Sequence, residues 1–278
     1  MRSFSFATLL LTCALTVPAA AQTGSEANLV FTVFAGTGTG HSLWSVAKQP
    51  LCLFDDVNQC TSQYDTLALS RSVGSSLVLG LTATYFVSPH VGVHLEMSYL
   101  GLPVESSCSA LFLNADPTGP SGTEQRRNGQ ICDDIQARSA QGGSIAIFGG
   151  VTLRAASRRS FSPYVRGNLG IVTQPHSSVE MSGAFVSGGG MLFERQVVTD
   201  PNARSTSFML GAAAGFTSAL SAGYQFRFEV RDVLTSMTRL VGPANGLGVG
   251  PTATRSYHHI ALTLGLDVVL ERKRGRRY

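Results

Sequence analysis

The sequence predicts an all-β protein, an eight-stranded antiparallel up-and-down transmembrane β-barrel with long loops at one end. Three observations predict it. Apolar side chains recur at every second position in eight separate segments. The connections between those segments alternate between short and long. One parity of each segment is free of charge, and the other is small or polar. In a strand, successive side chains point to opposite faces, so this pattern separates an apolar wall from a polar one.

The first segment, from Leu29 to about Gly38, is the least regular. The second places Leu77, Leu79, Leu81, Ala83 and Tyr85 on one face, with Val78, Gly80, Thr82 and Thr84 between them. In the third, Val91, Val93, Leu95, Met97 and Tyr99 alternate with Gly92, His94, Glu96 and Ser98. The fourth runs from Ile145 to Leu153 and the fifth from Val165 to Ile171. The sixth runs from Phe208 to Phe216. The seventh alternates Tyr224, Phe226, Phe228 and Val230 with Gln225, Arg227, Glu229 and Arg231. The eighth is the clearest: Ile260, Leu262, Leu264, Leu266, Val268 and Leu270 share one parity, whereas Thr263 and Asp267 lie on the other. A helix would scatter these charges around its surface.

Short connections fall at Ser88-Pro89, about 156–162 and 220–223; long polar ones fall at about 45–70, 102–140, 175–204 and 236–255. Open loops of that length are unusual inside a compact soluble domain. Alternation of short turns with long loops is the habit of a membrane barrel, whose closed ring pairs every backbone group. The competing reading is a soluble exported barrel with its apolar face turned inward.

Composition narrows the function. The 278 residues are 44% hydrophobic and only 14% charged, with 30 glycines. That excludes disorder. No stretch beyond the N-terminus approaches the roughly 18 consecutive apolar residues of a spanning helix. The net charge of +4 does not describe a nucleic-acid-binding face, because five of the 21 basic residues crowd the last eight positions. No nucleic-acid partner is expected.

The N-terminus reads as an export signal over residues 1–21: Arg2, then apolar Phe4 to Val17, then Ala19-Ala20-Ala21 before Gln22. The barrel domain is expected over 22–271 and a basic tail over 272–278. Export makes the cysteines candidates for disulfides. Cys52, Cys60, Cys108 and Cys132 remain after the leader; four cysteines allow three pairings, and the local one, Cys52–Cys60 with Cys108–Cys132, is expected if each pair lies in its own loop.

The leader, the eight segments and stretches such as Tyr85-Phe86-Val87-Ser88-Pro89-His90-Val91-Gly92-Val93 resemble the outer membrane protein beta-barrel domain family, the OmpA-like and OmpX-like eight-stranded barrels. The resemblance covers nearly the whole mature chain. It implies residence in the bacterial outer membrane, with outer-membrane lipid and lipopolysaccharide as surroundings. Barrel-assembly machinery and periplasmic chaperones would be partners during biogenesis. Relatives commonly end in an aromatic residue on the last strand, whereas here a basic tail separates Leu270 from Tyr278.

Enzyme motifs are lacking. Gly36-Thr37-Gly38-Thr39-Gly40 does not have the G-x-G-x-x-G spacing, and neither G-x-S-x-G nor H-E-x-x-H occurs. His41, Ser42, Ser256, Tyr257, His258 and His259 could supply a Ser–His pair at a barrel rim, as in an outer-membrane enzyme acting on lipid A. No carboxylate is placed by sequence to orient such a histidine. Neither catalysis nor a cofactor is expected. No metal site is expected either: His94 reads as a hydrogen-bonded interior residue, and Asp55, Asp56, Asp133 and Asp134 as solvated loop charge.

Six charges do fall on the inward parity: Glu96, Arg166, Arg227, Glu229, Arg231 and Asp267. Three are positive and three negative, so all can pair, and an unpaired charge in a narrow bore would be costly. The expectation is a salt-bridged closed lumen in a non-enzymatic barrel with a structural or surface-interaction role. A narrow channel is the alternative use of the same charges.

Overall fold

The computed structural model describes residues 28–52, 64–111, 120–138, 143–155, 161–173, 177–186, 189–200, 206–221, 223–245 and 248–270. The leader, the Cys52–Cys60 pairing, Asp55, Asp56 and the tail lie outside the described residues.

Eight strands close into an antiparallel ring: β1 (Asn28–Gly38), β4 (Ser76–Phe86), β5 (Val91–Gly101), β7 (Gly143–Arg154), β8 (Phe161–Thr173), β11 (Thr206–Ser221), β12 (Tyr224–Leu240) and β13 (Thr252–Leu270). Their order around the ring is β1-β13-β12-β11-β8-β7-β5-β4, so each is paired to its predecessor and successor, and β1 closes on β13. These are the eight alternating segments of the sequence. No edge strand is left in the ring, which satisfies every wall backbone group without water.

Parity decides which side each residue faces. Leu264 is 50% exposed on the outside, and its neighbour Thr263 is 2% exposed inside. Leu95 at 62% and Glu96 at 1% repeat the contrast on β5. The outer wall is a belt of Val33, Leu81, Val93, Ile147, Leu169, Leu210, Val230 and Leu262. Water would pay a large hydration cost over such a continuous belt, whereas lipid solvates it. Tyr85 and Tyr224 stand out of the wall near the short turns, and Tyr99 and Phe208 near the opposite end. The hairpin between β11 and β12 turns through Gly223, whose φ of 84° is the left-handed conformation that glycine adopts without strain.

The long connections differ from the open loops expected. Five further strands and a helix build a cap on the ring: β2 (His41–Cys52), β3 (Tyr64–Val73), β6 (Val104–Leu111), α1 (Pro120–Ala137), β9 (Met181–Val186) and β10 (Leu192–Val198). β2, β3 and β6 form a sheet in that order, and β9 pairs with β10. The sheet follows directly on the wall: β1 runs on into β2, β3 leads into β4, and β5 runs on into β6. The fourth connection shrinks as well, because β12 and β13 stay paired as far as Leu240 and Thr252.

The cap has an apolar core. Trp44, Leu51, Leu67 and Leu69 meet Ile131 and Ile135 of α1 and Met181 and Phe185 of β9, all buried. Polar ties hold it together and to the connections and strands of the ring. Trp44 Nε1 donates to the Ser178 carbonyl at 2.8 Å, and Tyr257 Oη donates to the Leu43 carbonyl at 2.7 Å. The buried Gln49 amide clasps the Ala244 backbone from both sides, at 3.1 and 2.7 Å. Arg71 donates to the Glu180 carbonyl, and burial pulls its guanidinium down to about 10. A disulfide joins Cys108 of β6 to Cys132 of α1.

Candidate functional site

All six inward charges are at most 6% exposed, and they form one connected lattice across the bore. Arg231 lies at its centre: Nη1 contacts Glu96 Oε1 at 2.6 Å, while Nη2 and Nε reach Glu229 Oε1 at 2.6 and 3.1 Å. Arg166, on β8, bridges the same two carboxylates from another side, at 3.1 Å to Glu96 and 3.2 Å to Glu229. Arg227 holds Asp267 in a two-pronged contact at 2.9 and 3.0 Å and approaches Glu229 at 3.9 Å. Four strands supply the six charges, so the lattice ties β5, β8 and β12 across the lumen and β13, through Asp267, beside β12.

Neutral groups complete the lattice, and the charge pattern alone did not mark them. Tyr164 Oη donates to Glu229 at 2.8 Å, Thr82 to Glu96 at 3.2 Å and Thr32 to Asp267 at 2.8 Å. Their shared signal is inward parity on a strand. Arg231 also lies 4.4 Å from the centre of the Phe34 ring, and Arg227 lies 5.0 Å from that of Tyr164. A buried charge costs several kcal/mol, and the ion pairs and neutral donors offset much of it, while Arg166 Nε and Nη2 have no hydrogen-bond partner among the described residues.

Above the lattice, towards the cap, the bore is apolar. Phe34, Val78, Leu100, Phe148, Val172, Met209 and Val233 are buried there as part of one cluster with the cap core. Phe34 fits because its cross-strand partner is Gly80: a Cβ at that position would lie 2.3 Å from the ring. Towards the short turns, His94 is held at both nitrogens, Nε2 on Asn168 Oδ1 at 2.7 Å and Nδ1 on Thr152 Oγ1 at 3.0 Å. A small cavity on this side is lined by Val30, Thr152, Tyr164, Arg227 and Asp267.

The rim residues are only partly brought together. His259 faces the interior at 2% exposure, and its Nε2 lies 3.0 Å from Ser76 Oγ, a partner 183 residues distant that sequence reasoning did not identify. Gly38 makes room for the pair, since a Cβ there would lie 2.4 Å from both atoms. His259 Nδ1 has no partner among the described residues, so no carboxylate orients the ring. His258 faces outward and pairs with Asp232 at 2.7 Å. Ser42 lies on β2 and Ser256 on β13, opposite Ser72 and Ser236. Gly36 and Gly38 are β1 residues, each opposite β4 and β13.

Asp134 is a structural residue of the cap. It accepts from the Ala184 N–H at 2.7 Å and pairs with Arg138 at 2.7 Å. Arg138 in turn reaches Glu194 at 2.6 Å, and this hydrogen bond, with a second from Ser182, holds the Glu194 carboxyl below the usual range. Among the described residues, no three His, Cys, Asp or Glu side chains converge as metal ligands.

A closed ring of eight antiparallel strands, with an exposed apolar belt outside and buried charge within, defines the class: an eight-stranded transmembrane β-barrel. No protein-family model matches the chain. No curated protein matches its sequence. Among solved structures it is similar to the outer membrane protein OprG from Pseudomonas aeruginosa, at 13% identity and a TM-score of 0.45 over 91% of this chain and 100% of that one. It is also similar to Neisserial surface protein A, at 12% identity and a TM-score of 0.41 over 88% and 99%. The outer membrane protein AlkL gives 15% identity and a TM-score of 0.38 over 93% and 97%. Likeness of this degree carries no argument about role.

Proposed function

We propose that the protein is a non-enzymatic integral protein of a bacterial outer membrane, with a structural or surface-interaction role. The barrel would anchor and the cap would face outward. The observation that carries this reading is the ion-pair lattice of Glu96, Arg166, Arg227, Glu229, Arg231 and Asp267, roofed by the apolar layer at Phe34 and Phe148. A solute would have to break several buried ion pairs and then cross an apolar plug. An eight-stranded ring has little room beyond its own side chains. The exposed apolar belt supports residence in lipid, and the export signal at residues 1–21 supports the outer membrane. Lipid and lipopolysaccharide would surround the belt, and assembly machinery would insert it.

Planar-bilayer recording tests this. The full-length wild type is expected to show no large, steady single-channel steps. Stable steps from the unmutated protein would overturn the sealed-barrel reading in favour of a channel.

A further inference from the structure

The wall and the cap separate at one place. β1 and β13 are paired up to Gly38 and Ala261, and the last bond runs from Thr39 N–H to the Ile260 carbonyl at 2.8 Å. Beyond it β2 turns away to pair with β3 alone, while β13 continues upward beside β12. The seam between β2 and β13 is bridged by the Tyr257–Leu43 bond.

The residues along this seam include several hydrogen-bond donors and cations beside the buried Val233 and Met237. Thr235, Tyr257 and His259 share the inward parity, and Arg255 and Arg239 continue it further up β13 and β12. The Arg255 guanidinium lies 5.7 Å from the centre of the Tyr257 ring. His41 stacks on that ring at 5.0 Å and meets His259 edge-on at 6.3 Å. Several of their polar atoms have no partner among the described residues: both nitrogens of His41, Nδ1 of His259, Nε of Arg239 and Oγ1 of Thr235, all shielded from solvent. Neither Arg239 nor Arg255 has an ion pair among the described residues.

The lumen makes the contrast plain. There every arginine has a carboxylate. At the seam, Arg239 and Arg255 both lie near Tyr257 with no carboxylate partner among the described residues, and Asp232, the carboxylate near His259, is paired with His258. Water solvates the exposed Arg255, but the two positive charges beside the shielded Arg239 Nε and the imidazoles disfavour a bound metal cation and favour an anion. A group with several acceptor oxygens and negative charge satisfies all of them, and guanidinium forks suit phosphate-like oxyanions. We propose that the seam formed by His41, Arg239, Arg255, Tyr257 and His259 binds a phosphate or sulfate group. Arg255, which is exposed, would meet the oxyanion first, and His259, which is buried, would be its innermost contact. Tyr257 gives its hydroxyl proton to Leu43 and serves as the platform between Arg255 and His41. The site does not depend on the sealed bore, and a conducting barrel would leave it intact.

The full chain, refolded in detergent, is titrated calorimetrically with pyrophosphate. Saturable binding at one site is expected. Arg255→Gln and Arg239→Gln should each weaken it at least about tenfold, the size of one charge-assisted hydrogen bond. Arg255→Lys should retain part of the affinity, and Arg138→Gln, which removes a cap cation elsewhere, should retain all of it. A heat-dependent shift in gel mobility equal to that of the wild type shows that each variant folds. Competition by vesicles containing lipopolysaccharide, but not by phosphatidylcholine vesicles, would assign the oxyanion to a lipid headgroup; its absence would assign it to a soluble ligand. No saturable binding by the wild type would overturn the proposal. So would binding that survives in the Arg239→Gln/Arg255→Gln double variant, or zinc binding at the two histidines without any anion binding.

Discussion

The bore and the cap solve the same burial problem with opposite chemistry. The bore buries charge and turns its hydrocarbon outward. The cap buries Trp44, Leu67, Leu69, Ile131 and Phe185 and turns its polar groups outward. The surroundings of each region set the choice. In the part of the bore below the apolar roof, pairing across a narrow lumen takes the place of a hydrocarbon filling. The cap faces water, so the hydrophobic effect drives its collapse. The bore therefore rests on a few interdependent contacts, whereas the cap rests on many weak ones. Damage to the first should spread through the barrel, and damage to the second should remain local.

Arg231→Ala should break this comparison most severely. It strips Glu96 and Glu229 of their shortest contacts and leaves both buried, at a cost of about 3–5 kcal/mol. Urea titration in detergent, read by gel mobility, should show the whole barrel destabilised. Replacing Glu96, Glu229, Arg166 and Arg231 together by apolar residues of similar volume should cost far less, since no charge is left unpaired. If the single and combined variants lose equally, the lattice is not what holds the bore.

Cys108→Ser should come next and should be felt only in the cap. The disulfide closes a separation of 24 residues, for which chain entropy gives about 3.5 kcal/mol as an upper figure. Limited proteolysis should cut near β6 and α1 sooner, with the barrel fragment still heat-modifiable. Loss of barrel folding would mean that the two regions are one cooperative unit.

Leu264→Arg puts a charge on the lipid-facing belt and should cost about 2–4 kcal/mol near the midplane in a bilayer refolding assay. An exposed leucine in a water-soluble protein would tolerate the same change, so a neutral result would reverse the assignment of the outer face.

The smallest effect concerns pH. The Glu194 carboxyl is held below its usual range by Arg138 and Ser182, so its contribution is present above the unfolded value of about 4.3 and is lost as pH falls below it. Hydrogen-exchange protection in β9 and β10, relative to the intrinsic rate at each pH, should fall at acid pH, and Glu194→Gln should remove most of that acid-specific change. As the group is fully exposed, the barrel should not respond.

Much of the barrel is legible in the chain. A strand with lipid on one side and a filled bore on the other has no freedom in its parity, so Leu262-Thr263-Leu264 and Leu95-Glu96-Met97 declare their faces locally. The six inward charges follow from the same rule, because a charge on the outer parity would lie in hydrocarbon. The cap offers no such external reference. β2, β3 and β6 bury Leu43, Trp44, Leu67, Leu69 and Cys108 only because each covers the others, and α1 presents little more than Ile131 and Ile135 among polar residues. With no fixed apolar medium to read against, these segments pass for polar loops.

By itself, then, the sequence determined the number of strands in the ring, their parity and the charge complement of the bore, because each depends on alternation within one strand. Tertiary structure alone decided which arginine meets which carboxylate, that Ser76 faces His259, that Gly80 accommodates Phe34, and that β2 leaves β13 to open a seam of unpaired donors. Those outcomes depend on register between strands far apart in the chain, and register is fixed only when the ring closes.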